Sequence, residues 1–371
     1  MLPLKDRLKA LFASVDGPRD EAQFETLALE AFAWQYERNS AYAAYCARRG
    51  TTPATVSHWT SIPVVPTAAF KETELVAGER ASADAVFRTS GTTRGRGRRG
   101  VHVVPDVSLY HASLLPNFRA MVLPDGLRMA MLCLLPSPDA MPESSLAHMF
   151  GVVVHRLGAR GSGFFASVQD GLDIPALDAA LTACVRNEEP VCLLGTSLSF
   201  VHWLDALHAV QRTHRLPTGS RLVDTGGFKG KARTIAEEEL RARYAHALGL
   251  DAAHCVNEYG MTEMCSQFYD AGLRERTLRG ESGPAKKHVP PGARSRVVDP
   301  ETLEPVRPGE IGLLQHFDLA NLGSVLAIQT EDLGVQVGDG FRLLGRAPGA
   351  TPRGCSIAMD ALLSAAAERR S

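Results

Sequence analysis

The sequence predicts an α/β fold with a β-rich stretch on its C-terminal side. Three observations carry this. Through the middle of the chain, short apolar runs alternate with segments of helical spacing. Those apolar runs have strand length rather than helix length. From about Gly283 the texture changes to Pro, Gly and Val, with short β-like runs separated by turns.

In chain order, Phe24, Leu27, Ala28, Ala31 and Trp34 recur at three- and four-residue spacing and mark one helix face. Ser61–Pro66 is a short extended run whose two prolines exclude a central strand. Phe87–Thr89 reads as a strand entering the loop at Ser90. Met129–Leu135 and Gly151–Leu157 are short enough for buried strands. Ala176–Arg186 reads as a helix, and Pro190–Leu194 as a strand followed by a turn. Val201, Leu204, Leu207 and Val210 give helical spacing over Val201–Arg212. Leu222–Asp224 is a short strand before a glycine pair. Thr234–Leu248 is an amphipathic helix with Glu237, Glu238 and Glu239 in its early turns, where the helix dipole favours negative charge. Arg296–Val298, Gly312–His316, Val325–Ile328 and Phe341–Leu344 form the β-rich part, and Ala361–Arg370 a short terminal helix. The expected organisation is one large domain over 1–346, β-rich from about 283, and a short segment over 347–371.

Composition narrows the function. Lys+Arg 40 against Asp+Glu 41 leaves net charge −1, without the basic excess that broad nucleic-acid binding needs. At 45% hydrophobic and 22% charged the chain is globular, not disordered. No apolar run reaches the roughly 18 residues of a membrane span. At roughly 150 residues per domain, the length suggests about two domains. The 7 cysteines are odd in number and scattered, which is no disulfide framework. The N-terminus has no apolar signal core. A cytoplasmic enzyme with reduced thiols is expected.

Three stretches can carry chemistry. Thr89–Gly100 packs Ser90, Gly91, Thr92 and Thr93 against Arg94, Arg96, Arg98 and Arg99. Glycines let backbone amides approach an anion, while hydroxyls and guanidinium groups donate to it. The stretch reads as a phosphate-gripping loop or as a solvated basic turn, and it is not a Lys-Ser/Thr P-loop. Asn257–Glu263 gathers carboxylates, a hydroxyl and the Tyr259 ring around Gly260; a carboxylate can hold Mg2+ and a ring can stack on a base. Gly309–Gly312, Thr330–Gly334 and Asp339–Arg346 read as turns between short strands. Gly195–Ser199 begins like a nucleophile elbow but lacks its second glycine. His254, Cys255 and Cys265 match no zinc spacing and read as buried structural groups. His148 faces either an acyl pocket or the core.

Taken in order, these stretches resemble the acyl-adenylating superfamily of acyl-CoA synthetases, adenylation domains and firefly-type luciferases. Ser90–Thr93 matches its S-G-T-T loop, and Tyr259–Glu263 its Y-G-x-T-E. Gly309–Gly312 matches G-E-I-G, Thr330–Asp332 the T-G-D, Asp339-Gly340 the D-G, and Gly345-Arg346 the G-R. The likeness spans roughly Pro63 to the end. Within the superfamily the chain resembles the LuxE-type acyl-protein synthetases, grouped with phenylacetate–CoA-ligase-like proteins. The features are Ile62–Pro66 with Phe70-Lys71, Gly226-Gly227-x-Lys229, Thr-Glu-Asp-Leu-Gly, and a terminal Arg353-Gly354-Cys355-Ser356.

The resemblance implies the large domain of an acyl-adenylating enzyme. It implies ATP- and Mg2+-dependent activation of a carboxylic acid, then transfer of the acyl group to a thiol. Ser90, Gly91, Thr92 and Thr93 would grip phosphates. Gly226 and Gly227 would flank adenine with Tyr259 on its other face. Thr262 would touch the α-phosphate, Glu263 would hold Mg2+, Asp332 would bind the ribose hydroxyls, and Arg346 would lie near ribose or phosphates. Cys355 would accept the acyl group before its passage to a reductase or acyl carrier protein. CoA or phosphopantetheine is the alternative acceptor, with Cys355 as relay or bystander. A non-catalytic nucleotide- or carrier-binding subunit is the alternative from another class.

Three departures qualify the likeness. Arg94 replaces a glycine. Glu331 stands within Thr-Glu-Asp in place of glycine, a change the LuxE type tolerates. Members usually continue into a small C-terminal domain with a catalytic lysine, whereas the residues after Arg346 contain none. The expectation is a chain lacking that domain, with Lys229 or Lys231 as replacement.

Overall fold

The computed structural model describes residues 2–89, 99–226 and 235–346. These fall into two units. The first holds the described residues of Met1–Asn117, Met261–Phe268 and Lys286–Ser371; the second holds those of Phe118–Gly260 and Tyr269–Ala285.

The second unit carries the strand–helix alternation. Its parallel strands run in the order Cys255–Tyr259, Arg221–Thr225, Val191–Thr196, Ala130–Cys133 and Gly163–Phe164. Both faces are covered, so Val191–Gly195 is buried throughout and shows no polar alternation. Helices start where the sequence supplies caps. Asp173 accepts from the Ala176 amide at 3.0 Å ahead of Ile174–Arg186. Thr196 and Ser199 form a reciprocal capping box at the start of Ser197–Ala209. Glu237–Leu248 ends at Gly249, whose φ of 70° needs glycine. The core between sheet and helices centres on Leu193, Leu222, Phe200, Trp203 and Tyr244. Each such large side chain contributes about 1.5–3 kcal/mol by leaving water.

Two sequence expectations change in this unit. Gly151–Leu157 lies within the helix Ser145–Leu157, not a strand. Its three valines favour a strand locally, but Ser144 caps the segment, and Ala147, Phe150, Val153 and Leu157 are buried at helical spacing. The turn expected after Leu194 is absent: the strand continues to Thr196 and passes directly into a helix.

The first unit is built on an antiparallel sheet. Ala327–Val337 pairs with Gly312–Asp318 and Gly340–Arg346, and Gly312–Asp318 pairs with Ala293–Val298. Val65–Pro66 adds at the edge, parallel to Ala327–Val337, where a proline is tolerated. Thr330–Gly334, expected as a turn, lies inside the single strand Ala327–Val337. The run is accommodated by an irregularity within the strand: Leu313 pairs with Leu333 and Gln315 with Gln329, so Thr330–Asp332 stand against Leu314 alone. In the helix Glu21–Arg38, Phe24, Leu27, Ala28 and Ala31 are buried as expected; the stripe also includes Phe32 and Gln35, while Trp34 is half-buried. Gln35 donates to the carbonyls of Asn321 and Leu322 and accepts from the Leu326 amide.

Candidate functional site

In the second unit the register brings several strand ends to one level. Thr196 lies beside Thr225, and Thr225 beside Glu258. Ser197, Gly226 and Tyr259 therefore leave the same carboxyl edge of the parallel sheet, the edge at which open α/β sheets bind ligands. Gly226 has φ 74°, and a Cβ there would meet nothing within 4 Å among the described residues, which suits the approach of a flat group to its backbone. Tyr259 is 5% exposed.

Side chains fasten these ends. The Ser197 hydroxyl donates to the Gly226 carbonyl at 2.9 Å. The Thr225 hydroxyl donates to the Glu258 carboxylate, which is buried and packs so closely on Gly260 that a Cβ there would collide with it. Beneath, Asp224 accepts from the Tyr244 hydroxyl at 2.9 Å and the Asn257 amide at 2.8 Å, while its burial raises its pKa. Gly195–Ser199 is thus a helix cap rather than a nucleophile elbow.

In the first unit, Thr262 is half-buried and Glu263 buried within Met261–Phe268. His102 and Asn321 reach the carbonyls of these two residues. Asp332 and Arg346 are direct cross-strand partners, and Arg346 pairs with Glu331 at 2.7 Å. The Thr330 hydroxyl donates to the Leu314 carbonyl at 2.8 Å and accepts from the Asp332 amide at 3.1 Å, fixing the start of the Thr-Glu-Asp run.

Ser90, Gly91, Thr92, Thr93, Gly227, Lys229, Lys231 and Cys355 lie outside the described residues. The stem of the first of these loops is described: Ala85–Arg88 pairs with Val101–Val104, and the Thr89 amide donates to the Gly100 carbonyl at 3.0 Å.

The residues present fit the groups the sequence implies. An open glycine backbone beside a tyrosine at a sheet's carboxyl edge suits a flat base. Among the described residues no three His, Cys, Asp or Glu side chains gather as a metal site. A single carboxylate such as Glu263 suits Mg2+, which takes one or two carboxylates and leaves the remaining positions to phosphates and water.

Sequence reasoning missed His102 and Asn321, and met Ser197 only within the Gly195–Ser199 elbow reading. Their significance lies in partners remote along the chain, which no local pattern announces. The six described cysteines, Cys46, Cys133, Cys184, Cys192, Cys255 and Cys265, are buried. Burial pushes the thiols of Cys46, Cys133, Cys192 and Cys255 up to about 12 and raises those of Cys184 and Cys265. Among the described residues no helix is long and apolar enough to cross a membrane.

A sequence model of the family described as acyl-protein synthetase, LuxE, matches residues 150–364. The long-chain-fatty-acid–luciferin-component ligase of Aliivibrio fischeri is 24% identical over 318 residues, covering 84% of this chain and 78% of the relative. The protein of the same name from Vibrio harveyi is 21% identical over 345 residues, covering 90% and 86%. Among solved structures, an open conformation of 2-hydroxyisobutyryl-CoA ligase superposes with a TM-score of 0.62 at 15% identity, over 88% of this chain and 70% of that one. That likeness establishes the fold of an acyl-adenylating enzyme.

Proposed function

This chain belongs to the LuxE acyl-protein synthetase family, and from that premise we propose that it activates a long-chain fatty acid with ATP and passes the acyl group to a thiol through Cys355. The observation that carries the proposal is the family match over residues 150–364, within which lie the ordered Tyr259–Glu263, Thr330–Asp332 and Gly345-Arg346 motifs. The fatty-acid assignment follows the activity named for the two ligase relatives.

The chemistry has two steps. A carboxylate oxygen of the acid attacks the α-phosphorus of ATP, pyrophosphate leaves, and an acyl-adenylate forms. In-line transfer at phosphorus needs positioning and charge neutralisation more than a protein base. Gly226 and Gly227 would flank the adenine with Tyr259, and Asp332 would accept from the ribose hydroxyls. Thr262 would donate to the α-phosphate. Ser90, Gly91, Thr92 and Thr93 would hold the phosphates, with Lys229 and Arg346 adding positive charge. Mg2+ held at Glu263 would supply further charge neutralisation.

The Cys355 thiolate then attacks the acyl carbonyl, AMP leaves with the bonding electron pair, and a thioester remains. Cysteine suits this step because its thiolate is intrinsically nucleophilic. Arg353, two residues away in the sequence, would favour that thiolate. The other six cysteines are poor candidates, being buried with raised pKa values. A reductase partner or an acyl carrier protein would take the acyl group from Cys355. CoA or phosphopantetheine would serve if the enzyme instead loads a soluble thiol.

Acid-dependent exchange of labelled pyrophosphate into ATP tests the first step. Exchange with a long-chain acid is expected. The absence of exchange across a broad acid panel would overturn it.

A further inference from the structure

The segment Met261–Phe268 carries Thr262 and Glu263 but is mostly irregular. Its backbone is held by buried side chains from distant parts of the same unit. His102 Nδ1 lies 2.6 Å from the Thr262 carbonyl. A carbonyl only accepts, so Nδ1 must carry the proton. The Asn321 amide nitrogen donates to the Glu263 carbonyl at 2.9 Å and to the Val325 carbonyl at 2.8 Å. Its oxygen therefore faces His102 Nε2, 2.9 Å away. Each ring nitrogen thus faces an acceptor, and both contacts are hydrogen bonds only when both nitrogens carry protons. Further along, the Cys265 and Ser266 amides donate to one oxygen of Asp318 at 2.8 and 2.9 Å, and the Ser266 hydroxyl donates to the other at 2.7 Å. His102 and Asn321 are 1% exposed, and Asp318 is fully buried.

A buried carbonyl must find a donor, and ordinary sheet or helix pairing is the usual solution. Here two consecutive carbonyls are each taken by a dedicated buried side chain. They belong to the two residues proposed to meet the α-phosphate and Mg2+. The arrangement fixes both peptide planes without placing those residues in a strand or helix, which leaves their side chains to be aimed by the clamp.

We infer that His102 and Asn321 are positioning residues that aim Thr262 and Glu263 by gripping their carbonyls. This rests on the adenylation reading above. His102 and Asn321 touch neither nucleotide nor acid in this account; they act through the backbone they hold. Misplacement of reacting groups by about 1 Å can cost about 100-fold in rate.

The test exploits the position of the donor on the ring. Asparagine places its amide nitrogen where imidazole carries Nδ1, and glutamine places its own where imidazole carries Nε2. His102→Asn retains the donor to Thr262, while His102→Gln loses it. Acid-dependent pyrophosphate exchange and thermal melting are measured for both variants and for Asn321→Asp, which keeps the shape but loses the donor to Glu263. The expected result is kcat within about 3-fold of wild type for His102→Asn, and about 10- to 100-fold lower for His102→Gln and Asn321→Asp. KM for ATP should move less than kcat. A merely structural role would lower the melting temperature of both His102 variants and leave their kcat values alike. Equal kcat for His102→Asn and His102→Gln overturns the inference. Should His102→Gln fail to fold, wild-type kcat in Asn321→Asp overturns it. A wild-type protein without exchange overturns the functional reading and this inference together, whereas an active wild type with unaffected variants overturns the inference alone.

Discussion

Asp332 and Arg346 stand opposite one another on the antiparallel strands Ala327–Val337 and Gly340–Arg346. Asp332 is buried, while Arg346 is exposed and bridges Glu331. Two motifs separate in the sequence are thereby adjacent in the sheet.

Replacing Asp332 with alanine should therefore impair ATP use more than folding. Losing a charged acceptor costs about 1.5–3 kcal/mol, or about 10- to 150-fold in kcat/KM for ATP. Steady-state exchange kinetics at varied ATP would show it. Arg346→Ala should change stability by at most about 1 kcal/mol, because its pair with Glu331 is substantially solvated. Urea unfolding checks that separately from activity.

The glycine after Tyr259 is predicted to be intolerant of substitution. A Cβ at Gly260 would collide with the Glu258 carboxylate, which also accepts from Thr225. Gly260→Ala should destabilise by about 1–3 kcal/mol. Gly226→Ala meets no described residue within 4 Å and carries the strain of its φ of 74°, about 1–2 kcal/mol. Denaturant midpoints compare the two, and a neutral Gly260→Ala would contradict the packing described.

Stability should fall on mild acidification. Burial pushes His316 down from 6.5 to about 3. It therefore stays neutral in the folded chain while it protonates in the unfolded one. Below pH 6.5 the unfolded state binds more protons, so stability declines as pH falls toward that value, by up to about 1.4 kcal/mol per pH unit. Asp224 and Asp318, whose burial raises their pKa values, act in the opposite sense at the acid end. Urea midpoints between pH 6.5 and about pH 5 give the clearest reading. A flat profile there, or one that His316→Phe leaves unchanged, would contradict the account.

Much of the architecture was legible because periodicity acts locally. The helical spacing over Ala176–Arg186 and Val201–Arg212 was read from the sequence, whereas the caps Asp173, Thr196 and Ser199, which start those helices earlier, emerge only in the structure. The order of motifs identified the superfamily before any geometry. Gly151–Leu157 misled because a run of β-branched residues suits a strand locally, and only packing against a sheet decides for a helix. Thr330–Gly334 misled because polar residues and a glycine suit a turn locally, whereas here Thr330–Asp332 bulge within a strand opposite Leu314. His102, Asn321 and Asp318 could not be read at all. Their partners in the Thr262–Ser266 segment lie 160, 58 and 53 residues away, and a lone histidine, asparagine or aspartate in an apolar context signals nothing by itself.

Thiol reactivity should divide the cysteines sharply. The six described thiols are buried with raised pKa values and should alkylate slowly in the native protein. Brief treatment with iodoacetamide at neutral pH, followed by peptide mapping, should label Cys355 first. Rapid labelling of Cys133 or Cys192 would contradict their burial.

The central claim is tested most directly by intact mass. The protein is incubated with ATP, Mg2+ and a long-chain fatty acid, and its mass is recorded before and after hydroxylamine. The account predicts one added acyl group, formed only with ATP, released by hydroxylamine, and missing from Cys355→Ser. An acyl adduct that persists unchanged in Cys355→Ser, or no adduct in the wild-type protein, would contradict it.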